Sequence, residues 1–320
     1  MSRSRRLAVV QLLVSAIALG AVIWWASRQS LPKLPDAKTA AVGISAGLVL
    51  YAFASALRGE RWMRLLRHGG MACGRGDAYA LTTVGYMGNN ALPARAGDFM
   101  KAFLSAGRAS AARTDGLGIL VAERLLDAAA LALLFAGLVT TLSLPLGVPG
   151  WVLVAVGAGL LAAAAAAAFF GKGGLRRHER LNRLVHSLLV PTRRLWGRTG
   201  ALLLTTSLAV WLVEGSVYAV LGPVAGIHMT LLDGLYVMAL ANLVALVPAA
   251  PGYVGTFDAA VVLGLSLVAP GVAHGTAVEY VILVRFVLFV PITIVGLGAL
   301  LTRYGGLRRA GPARATLASP

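Results

Sequence analysis

The sequence is poor in the residues on which disulfide-stabilised proteins, soluble domains and most enzymes depend. Cys73 is the single cysteine, which excludes an internal disulfide and a metal site built from cysteines. Only 13% of the residues are charged, whereas soluble domains carry roughly 25%. A nucleophile motif, a phosphate-binding glycine loop and histidines at metal-ligand spacing are all missing. We therefore expect no enzymatic activity, no metal and no cofactor.

Acidic residues are also scarce, because 12 of them stand against 29 lysines and arginines, giving a formal net charge of +17. Such an excess can indicate nucleic-acid binding. Here the basic residues lie in short segments between apolar runs, which is typical of the cytoplasmic loops of membrane proteins. We therefore expect no nucleic-acid partner, and we expect anionic lipid headgroups to contact the cytoplasmic face.

Long apolar runs make up most of what is present: 58% of the residues are hydrophobic and the mean hydropathy is +0.79. Because roughly 20 apolar residues span a bilayer, the sequence predicts an all-α, polytopic helical membrane bundle with about six full spans and two broken or re-entrant segments. We expect a single transmembrane domain over residues 1–320. The predicted full spans are 7–26, 39–57, 116–139, 151–170, 200–221 and 277–301.

The first break in the apolar pattern is the stretch GYMGNNALPARAGDFMK, residues 85–101. Pro93 cannot donate a backbone hydrogen bond, and irregular backbone survives in hydrocarbon only where protein or a wet cavity surrounds it. Arg95 and Asp98 are three residues apart and would share one face of a following helix. A cytoplasmic loop is the alternative. We favour a re-entrant segment over residues 78–92, because it places the basic loops on one side.

A second break, VPAAPGYVGTFDAAV, spans residues 247–261 and contains two prolines and two glycines. The flanking segments 232–247 and 253–268 are each about 16 residues, or ~24 Å, which is short for a full span. They form either a hairpin entering from outside or two thin spans. Paired broken segments of this kind indicate a transporter site at the bilayer midplane and an inverted repeat. Because the two halves show no convincing sequence similarity, the repeat is a hypothesis.

The positive-inside rule orients this arrangement. It puts 24 of the 29 basic residues on the cytoplasmic side, in segments 1–6, 58–76, 95–113, 172–198 and 303–314. Both termini are then cytoplasmic, with tails 1–6 and 303–320, and we expect a multi-pass protein of the inner cell membrane. The loop 172–198 has leucines at helical spacing among basic residues, which predicts an amphipathic helix on the cytoplasmic interface. A topogenic loop without a binding role is the alternative.

Several ionisable residues lie inside predicted spans, where they are costly and usually functional. They are Glu123, Arg124, Asp127, Glu214 and Arg285. The alternative is structural, with opposite charges pairing to hold the bundle together. We expect Arg124 and Arg285 to pair with acids among Asp127, Glu214 and Asp258. Glu214 has no opposite charge nearby in the sequence, so a purely structural role is less expected for it.

Four motifs in order resemble the transmembrane region of lysylphosphatidylglycerol synthases: NNALPARAGDF, VAERLLD at residues 121–127, PAAPGYVGTFDAAV, and VRF before Pro291. The resemblance covers roughly residues 7 to 301. Asp98 and Asp258 stand where the family pattern often has Glu, so the charge is kept on a shorter side chain.

In those synthases a cytosolic domain makes the aminoacylated lipid, and the membrane region is credited with moving it across the bilayer. The same region occurs alone in flippase-like membrane proteins linked to export of lipids or polyprenyl-linked glycans. Since this sequence shows no synthase domain, the resemblance implies lipid transport without synthase activity.

We therefore expect a flippase-like lipid translocase that moves a phospholipid or a polyprenyl-linked lipid. The arginines suit a phosphate, while the acids suit a cationic headgroup, a counter-ion or a proton. The expected substrate-binding residues are Asn89, Asn90, Arg95, Asp98, Glu123, Arg124, Asp127, Glu214, Pro251, Gly252, Gly255, Asp258 and Arg285.

Two other functions remain open. The first is a non-catalytic scaffold or assembly subunit for a lipid- or glycan-modifying enzyme, which would then be a partner. The second is an ion-coupled solute transporter. A polar cavity open to the bilayer would favour the lipid translocase, and a sealed, fully paired interior would favour the scaffold.

Overall fold

A computed structural model describes residues 37–93, 95–142, 197–245 and 251–305. Within these ranges the chain forms eight α-helices and two short 3-10 turns and has no strand, which confirms the all-α bundle. The predicted spans 7–26 and 151–170 lie outside the described residues. So do the tail 1–6, nearly all of the loop 172–198 and most of the tail 303–320.

The helices alternate between long and short. By length and apolarity, five helical segments could cross a membrane: the four long helices, and the short α7 taken together with the turn at Pro251–Tyr253. The chain is therefore a multi-pass membrane protein. The helices are α1 (Ala37–His68), α2 (Arg75–Ala91), α3 (Ala96–Arg108), α4 (Arg113–Leu142), α5 (Arg198–Leu221), α6 (Leu231–Val244), α7 (Thr256–Val268) and α8 (His274–Tyr304).

Helices α2 and α3 form a hairpin that enters and leaves at one end of the bundle. They contain 17 and 13 residues, or ~25 and ~20 Å, so neither reaches across a bilayer. Asp77 in the first turn of α2 and Arg108 at the end of α3 both contact Arg303 near the end of α8. The two outer ends of the hairpin therefore lie side by side. This confirms the re-entrant segment predicted over residues 78–92.

The tip of this first hairpin bends because its sequence cannot continue as helix. The N–H of Leu92 donates to the carbonyl of Gly88 as the last bond of α2, and Pro93 follows without a donor. Arg95 then takes a left-handed conformation (φ 55°) before α3 begins. Gly97 lets the returning helix approach closely, since a Cβ there would collide with backbone atoms of Gly85 and Asn89.

Helices α6 and α7 form a second hairpin, which enters from the opposite end. The Tyr280 hydroxyl donates to the carbonyl of Tyr218 at 2.7 Å, so the start of α8 lies beside the end of α5. Short connections link α6 to the end of α5 and α7 to the start of α8, which places both outer ends of the hairpin there. Helix α8 spans 31 residues, or ~46 Å, from this end to Arg303 beside the first hairpin. The second break is therefore a hairpin and not two thin spans.

Each half of the described chain is a long helix, a hairpin and a second long helix, with the two halves inverted. Charged residues occupy matching positions in this pattern. Asp98 and Asp258 are each the third residue of the returning hairpin helix, in α3 and α7. Arg124 and Arg285 each lie eleven residues after the start of the following long helix, in α4 and α8. The matched register supports the inverted repeat that sequence similarity alone could not establish.

Apolar side chains pack around each hairpin and leave a charged layer between them. One cluster, which includes Trp62 and Leu81, surrounds the first hairpin. A larger cluster, which includes Tyr236 and Val284, surrounds the second. Because hydrocarbon does not solvate ions, side chains in the intervening layer must find partners within the protein.

The hairpin arrangement makes a prediction about sidedness. Single cysteines at His228 and Ala273, both exposed beside the outer ends of the second hairpin, should react with an impermeant maleimide from one side of sealed vesicles. A cysteine at the exposed Ala112, in the connection after the first hairpin, should react only from the other side. The variants are made in a Cys73→Ser background and compared before and after permeabilisation. Labelling of Ala112→Cys and His228→Cys from the same side would contradict the fold.

Candidate functional site

The tips of the two hairpins meet in the middle of the bundle. The Nε of Arg95 donates to the Tyr253 hydroxyl at 3.0 Å, and the guanidinium lies over the Tyr253 ring. Both residues have left-handed backbones, with φ of 55° and 54°. A non-glycine residue adopts this conformation at a cost and only where the surroundings enforce it, often at functional sites. The two breaks thus meet, as the paired-break pattern predicts.

A cavity of about 630 Å³, counting its open mouth, lies where the tips meet. Its polar side chains include three arginines and one carboxylate, so the wall carries an excess of positive charge. Six aromatic rings supply most of the remaining surface. The lining residues are Tyr51, Arg58, Tyr86, Asn89, Asn90, Arg95, Arg124, Trp211, Glu214, Asn242, Ala245, Tyr253, Phe257, Leu288 and Phe289.

The structure divides the residues predicted from the sequence into three groups. Asn89, Asn90, Arg95, Arg124 and Glu214 line the cavity. Asp98, Glu123 and Asp127 are buried behind its wall. Pro251, Gly252, Gly255, Asp258 and Arg285 form or support the second tip but do not line the cavity.

Asp98 connects the first tip to the cavity wall. It accepts a hydrogen bond from the Asn89 amide at 3.0 Å, and its own N–H donates to the Asn89 side-chain oxygen at 3.1 Å. Its second carboxylate oxygen lies 3.7 Å from Nε of Arg124 and 3.9 Å from Nε of Arg95. Asp98 therefore positions both halves of the hairpin and the arginines above it.

Arg285 holds the second tip together. Its Nε pairs with Asp258 at 2.5 Å, and its Nη1 donates to the carbonyl of Gly252 at 3.0 Å. The other Asp258 oxygen accepts from the N–H of Gly255 at 2.9 Å and so caps α7. The predicted pairing of Arg285 with Asp258 is confirmed. The contacts indicate that this pair shapes the tip.

Three buried cations escaped the sequence analysis, which assigned Arg58 and Arg61 to a cytoplasmic loop at 58–76 and Lys101 to another at 95–113. That assignment was wrong, because α1 continues to His68 and carries both arginines inside the bundle. Lys101 lies in the re-entrant hairpin, and all three are at most 2% exposed. Removing these residues and Arg95 from the loop count leaves 20 of the 24 basic residues to support the orientation.

A helical pattern in the sequence could have revealed the buried arginines. Between residues 57 and 69 nothing except Gly59 weakens the helix. Trp62 and Leu65 recur at three- and four-residue spacing with Arg58, so one face carries both apolar residues and arginine. Arg64 is half-exposed on the other face. A cation on the apolar side of a helix is a sign of burial.

Arg58 forms the central ion pair of the cavity with Glu214. Its guanidinium also lies over the rings of Tyr51, Tyr86 and Trp211, at 5.9, 5.3 and 5.4 Å from their centroids. The second oxygen of Glu214 accepts from Asn242 at 3.1 Å.

The pair also joins the two repeats. Arg58 precedes the start of α2 by 17 residues, and Glu214 precedes the start of α6 by 17 residues. These matching positions bring the two halves into contact through opposite charges. Glu214 thus has the partner that its surroundings in the sequence did not show.

Behind the cavity, a sealed ionic network joins four helices. Arg61 pairs with Asp127 at 2.5 Å and donates to Ser207 at 2.7 Å. Lys101 pairs with Glu123 at 2.5 Å. These groups are at most 3% exposed, so they hold the bundle together and are closed to a ligand.

Arg124 links this network to the cavity. It lies 3.4 Å from Asp127, which confirms one predicted partner, and it also contacts Glu123 at 3.2 Å. The network behind the wall then holds four cations, Arg61, Arg95, Lys101 and Arg124, against three carboxylates, Asp98, Glu123 and Asp127. Arg95, with its long contact to Asp98, lies at the edge of this network where one positive charge is in surplus.

The Arg285 contacts predict a specific loss of stability. Arg285→Ala removes the partner of Asp258 and the donor to Gly252, so the free energy of unfolding in detergent should fall by about 1–3 kcal/mol. The estimate is moderate because both side chains are partly exposed, at 18% and 24%. Arg303→Ala on the same helix is the control, since its half-exposed contact with Asp77 contributes at most about 0.5 kcal/mol. Equal losses in both variants would contradict the role assigned to Arg285.

The same motifs that form the two tips place the chain among known proteins. No curated protein matches the sequence. A family model described as the lysylphosphatidylglycerol synthase TM region matches residues 8–296, which includes all eight helices except the end of α8. The chain therefore belongs to the lysylphosphatidylglycerol synthase transmembrane-region family.

Proposed function

We propose that this chain is a flippase-like lipid translocase that moves a phospholipid or a polyprenyl-linked lipid across the bilayer. The observation that carries the proposal is the cavity at the meeting point of two hairpins that enter from opposite ends. A cavity in that position is accessible to a headgroup from either side if the two halves rearrange, as inverted repeats allow. The lipid chains need not enter the polar cavity, because the surrounding helices present apolar faces to the bilayer.

The composition of the cavity wall supports a lipid substrate. Arginines bind phosphate oxygens through two parallel N–H groups, and three of them line the cavity. The aromatic rings offer apolar surface beside these charges, which suits the junction of a headgroup and its glycerol or prenyl chain. No grouping of three His, Cys, Asp or Glu side chains that could hold a metal occurs in the described ranges. The activity proposed is transport without chemistry on the lipid.

We also propose the orientation and location of the protein. The end that contains Arg64, Arg67, Arg75, Arg108 and Arg303 faces the cytoplasm, because basic residues concentrate there. The opposite connections at residues 222–230 and 269–273 contain neither lysine nor arginine. With this orientation both termini are cytoplasmic, and the membrane is the inner cell membrane. Anionic lipids then meet the basic cytoplasmic face.

The scaffold alternative has one feature in its favour, the sealed ionic network around Arg61 and Lys101. A scaffold needs a paired interior, and this part of the chain has one. It does not need a cavity lined by arginines at the centre of the bundle. We therefore rank lipid translocation first and test both together.

The test is lipid movement in reconstituted vesicles, followed by the accessibility of a labelled headgroup to an impermeant quencher. Arg95→Ala should lower the rate of movement by about ten-fold, the effect of losing one charge-assisted hydrogen bond to a phosphate. Folding and membrane insertion should be nearly unchanged, since Arg95 is at the edge of the network and its ion pair is long. Arg108→Ala, at the far end of α3 from the cavity, is the matched control and should move lipid at the wild-type rate.

Two outcomes would separate the alternatives. If the wild-type chain moves no phospholipid and no polyprenyl phosphate, the translocase proposal fails. If Arg95→Ala instead abolishes co-purification of a lipid- or glycan-modifying enzyme, the scaffold is correct. Dependence of the uptake of a soluble substrate on an ion gradient would favour an ion-coupled transporter.

A further inference from the structure

Arg58 has more hydrogen-bonding capacity than the described residues use. Its Nη2 pairs with Glu214, but the buried Nε and Nη1 atoms have no hydrogen-bond partner among the described residues. The side chain is 2% exposed and lines the cavity. Leaving such donors unpaired in a buried site is costly, and native structures usually supply a ligand, an ion or a water molecule. The Nε of Arg124, also on the cavity wall, is likewise without a hydrogen-bond partner in these ranges.

The surroundings of Arg58 exclude most occupants other than an anion. Three aromatic rings cover the guanidinium and fix its plane. Glu214 already neutralises its charge on one edge, so a further cation would meet only repulsion from the three cavity arginines. An oxyanion can accept from Nε and Nη1 of Arg58 and from Nε of Arg124 without displacing an existing bond.

The charge balance defines how much negative charge the occupant carries. Arg58 and Glu214 cancel each other, and the network behind the wall has four cations for three carboxylates. One positive charge is thus unmatched among the described residues. A phosphodiester carries one negative charge and completes the balance. A phosphate monoester carries about −1.5 to −2 near pH 7 and would leave excess negative charge.

We propose that Arg58 is the centre of a deep subsite for the phosphate oxyanion of a lipid with one net negative charge, such as a phosphatidylglycerol-type phosphodiester. This inference rests on the proposed function and defines its substrate class. Zwitterionic lipids bind less well, because their amine adds a positive charge to a cavity that already has a surplus. A lysyl-modified headgroup with net positive charge is disfavoured for the same reason.

Binding to the purified full chain in an uncharged detergent tests the subsite. The probes are short-chain phosphatidylglycerol, phosphatidylcholine, phosphatidic acid and lysylphosphatidylglycerol, together with inorganic phosphate. Phosphatidylglycerol should bind about ten-fold or more tightly than phosphatidylcholine, the difference expected for one charge-assisted contact. Tighter binding of lysylphosphatidylglycerol or phosphatidic acid than of phosphatidylglycerol would overturn the charge assignment. Protection by inorganic phosphate that phosphatidylglycerol cannot displace would overturn the lipid source.

Arg58→Lys tests the residue itself. Lysine keeps the positive charge beside Glu214 but loses the planar fork of donors, so affinity for phosphatidylglycerol should fall about ten-fold. Arg61→Lys is the matched control, because Arg61 lies on the same helix with equal burial but does not line the cavity. Its thermal stability can fall, while its lipid affinity should equal that of the wild type. Wild-type affinity in Arg58→Lys would overturn the subsite.

A second variant keeps the test open if Arg58→Lys does not fold. Glu214→Gln removes one negative charge next to Arg58 while keeping the shape and an oxygen for Asn242. The ratio of phosphatidic acid affinity to phosphatidylglycerol affinity should then rise about ten-fold. An unchanged ratio contradicts the charge balance.

Parallel assays of binding and transport separate this inference from the proposed function. Selective lipid binding without lipid movement would refute the translocase and leave the subsite in place. Lipid movement that Arg58→Lys does not slow would refute the subsite and leave the translocase in place.

Discussion

Neutralising charge in a layer that water does not solvate is the constraint on which this structure depends. A single arginine at the centre of a bilayer costs at least ~2.5 kcal/mol, so each cation there needs a carboxylate or a ligand. Those pairs connect elements far apart in the chain: Arg58 reaches Glu214 across 156 residues, and Lys101 reaches Glu123 from a different helix. The same contacts therefore fix the helix positions and create the polar centre.

The hairpin tips obey the same constraint through their backbones. A chain that turns inside the membrane leaves carbonyl and N–H groups without helical partners, and these must be satisfied by protein. Arg285 donates to the carbonyls of Gly252 and Tyr253, and Asp258 accepts from the N–H of Gly255. Asn89 and Asp98 do the corresponding work at the first tip. Charged side chains at both tips thus replace hydrogen bonds that helix would have supplied.

The sequence is sufficient to predict features that depend on local composition. Apolar runs predict the four described spans, and prolines and glycines predict both tips, because the bilayer penalises any exception to these patterns. The Arg285–Asp258 pair was predictable, since one acid and one base lie in neighbouring segments. The roles of Arg58, Arg61 and Lys101 were not predicted, because counting basic residues treats a cation beside a span as a loop. Which carboxylate a buried cation meets depends on tertiary packing.

One unmatched positive charge suits a transporter better than full pairing or a larger surplus. A fully neutral centre would give a phosphate no reason to leave the headgroup layer. Several unpaired arginines would bind it too tightly and would make insertion of the chain costly. A site on a transport path must attract its substrate and then release it. The sealed pairs around Arg61 remove most of the charge from the problem, while Arg95 and the free donors of Arg58 leave a modest attraction at the point where the two hairpins meet.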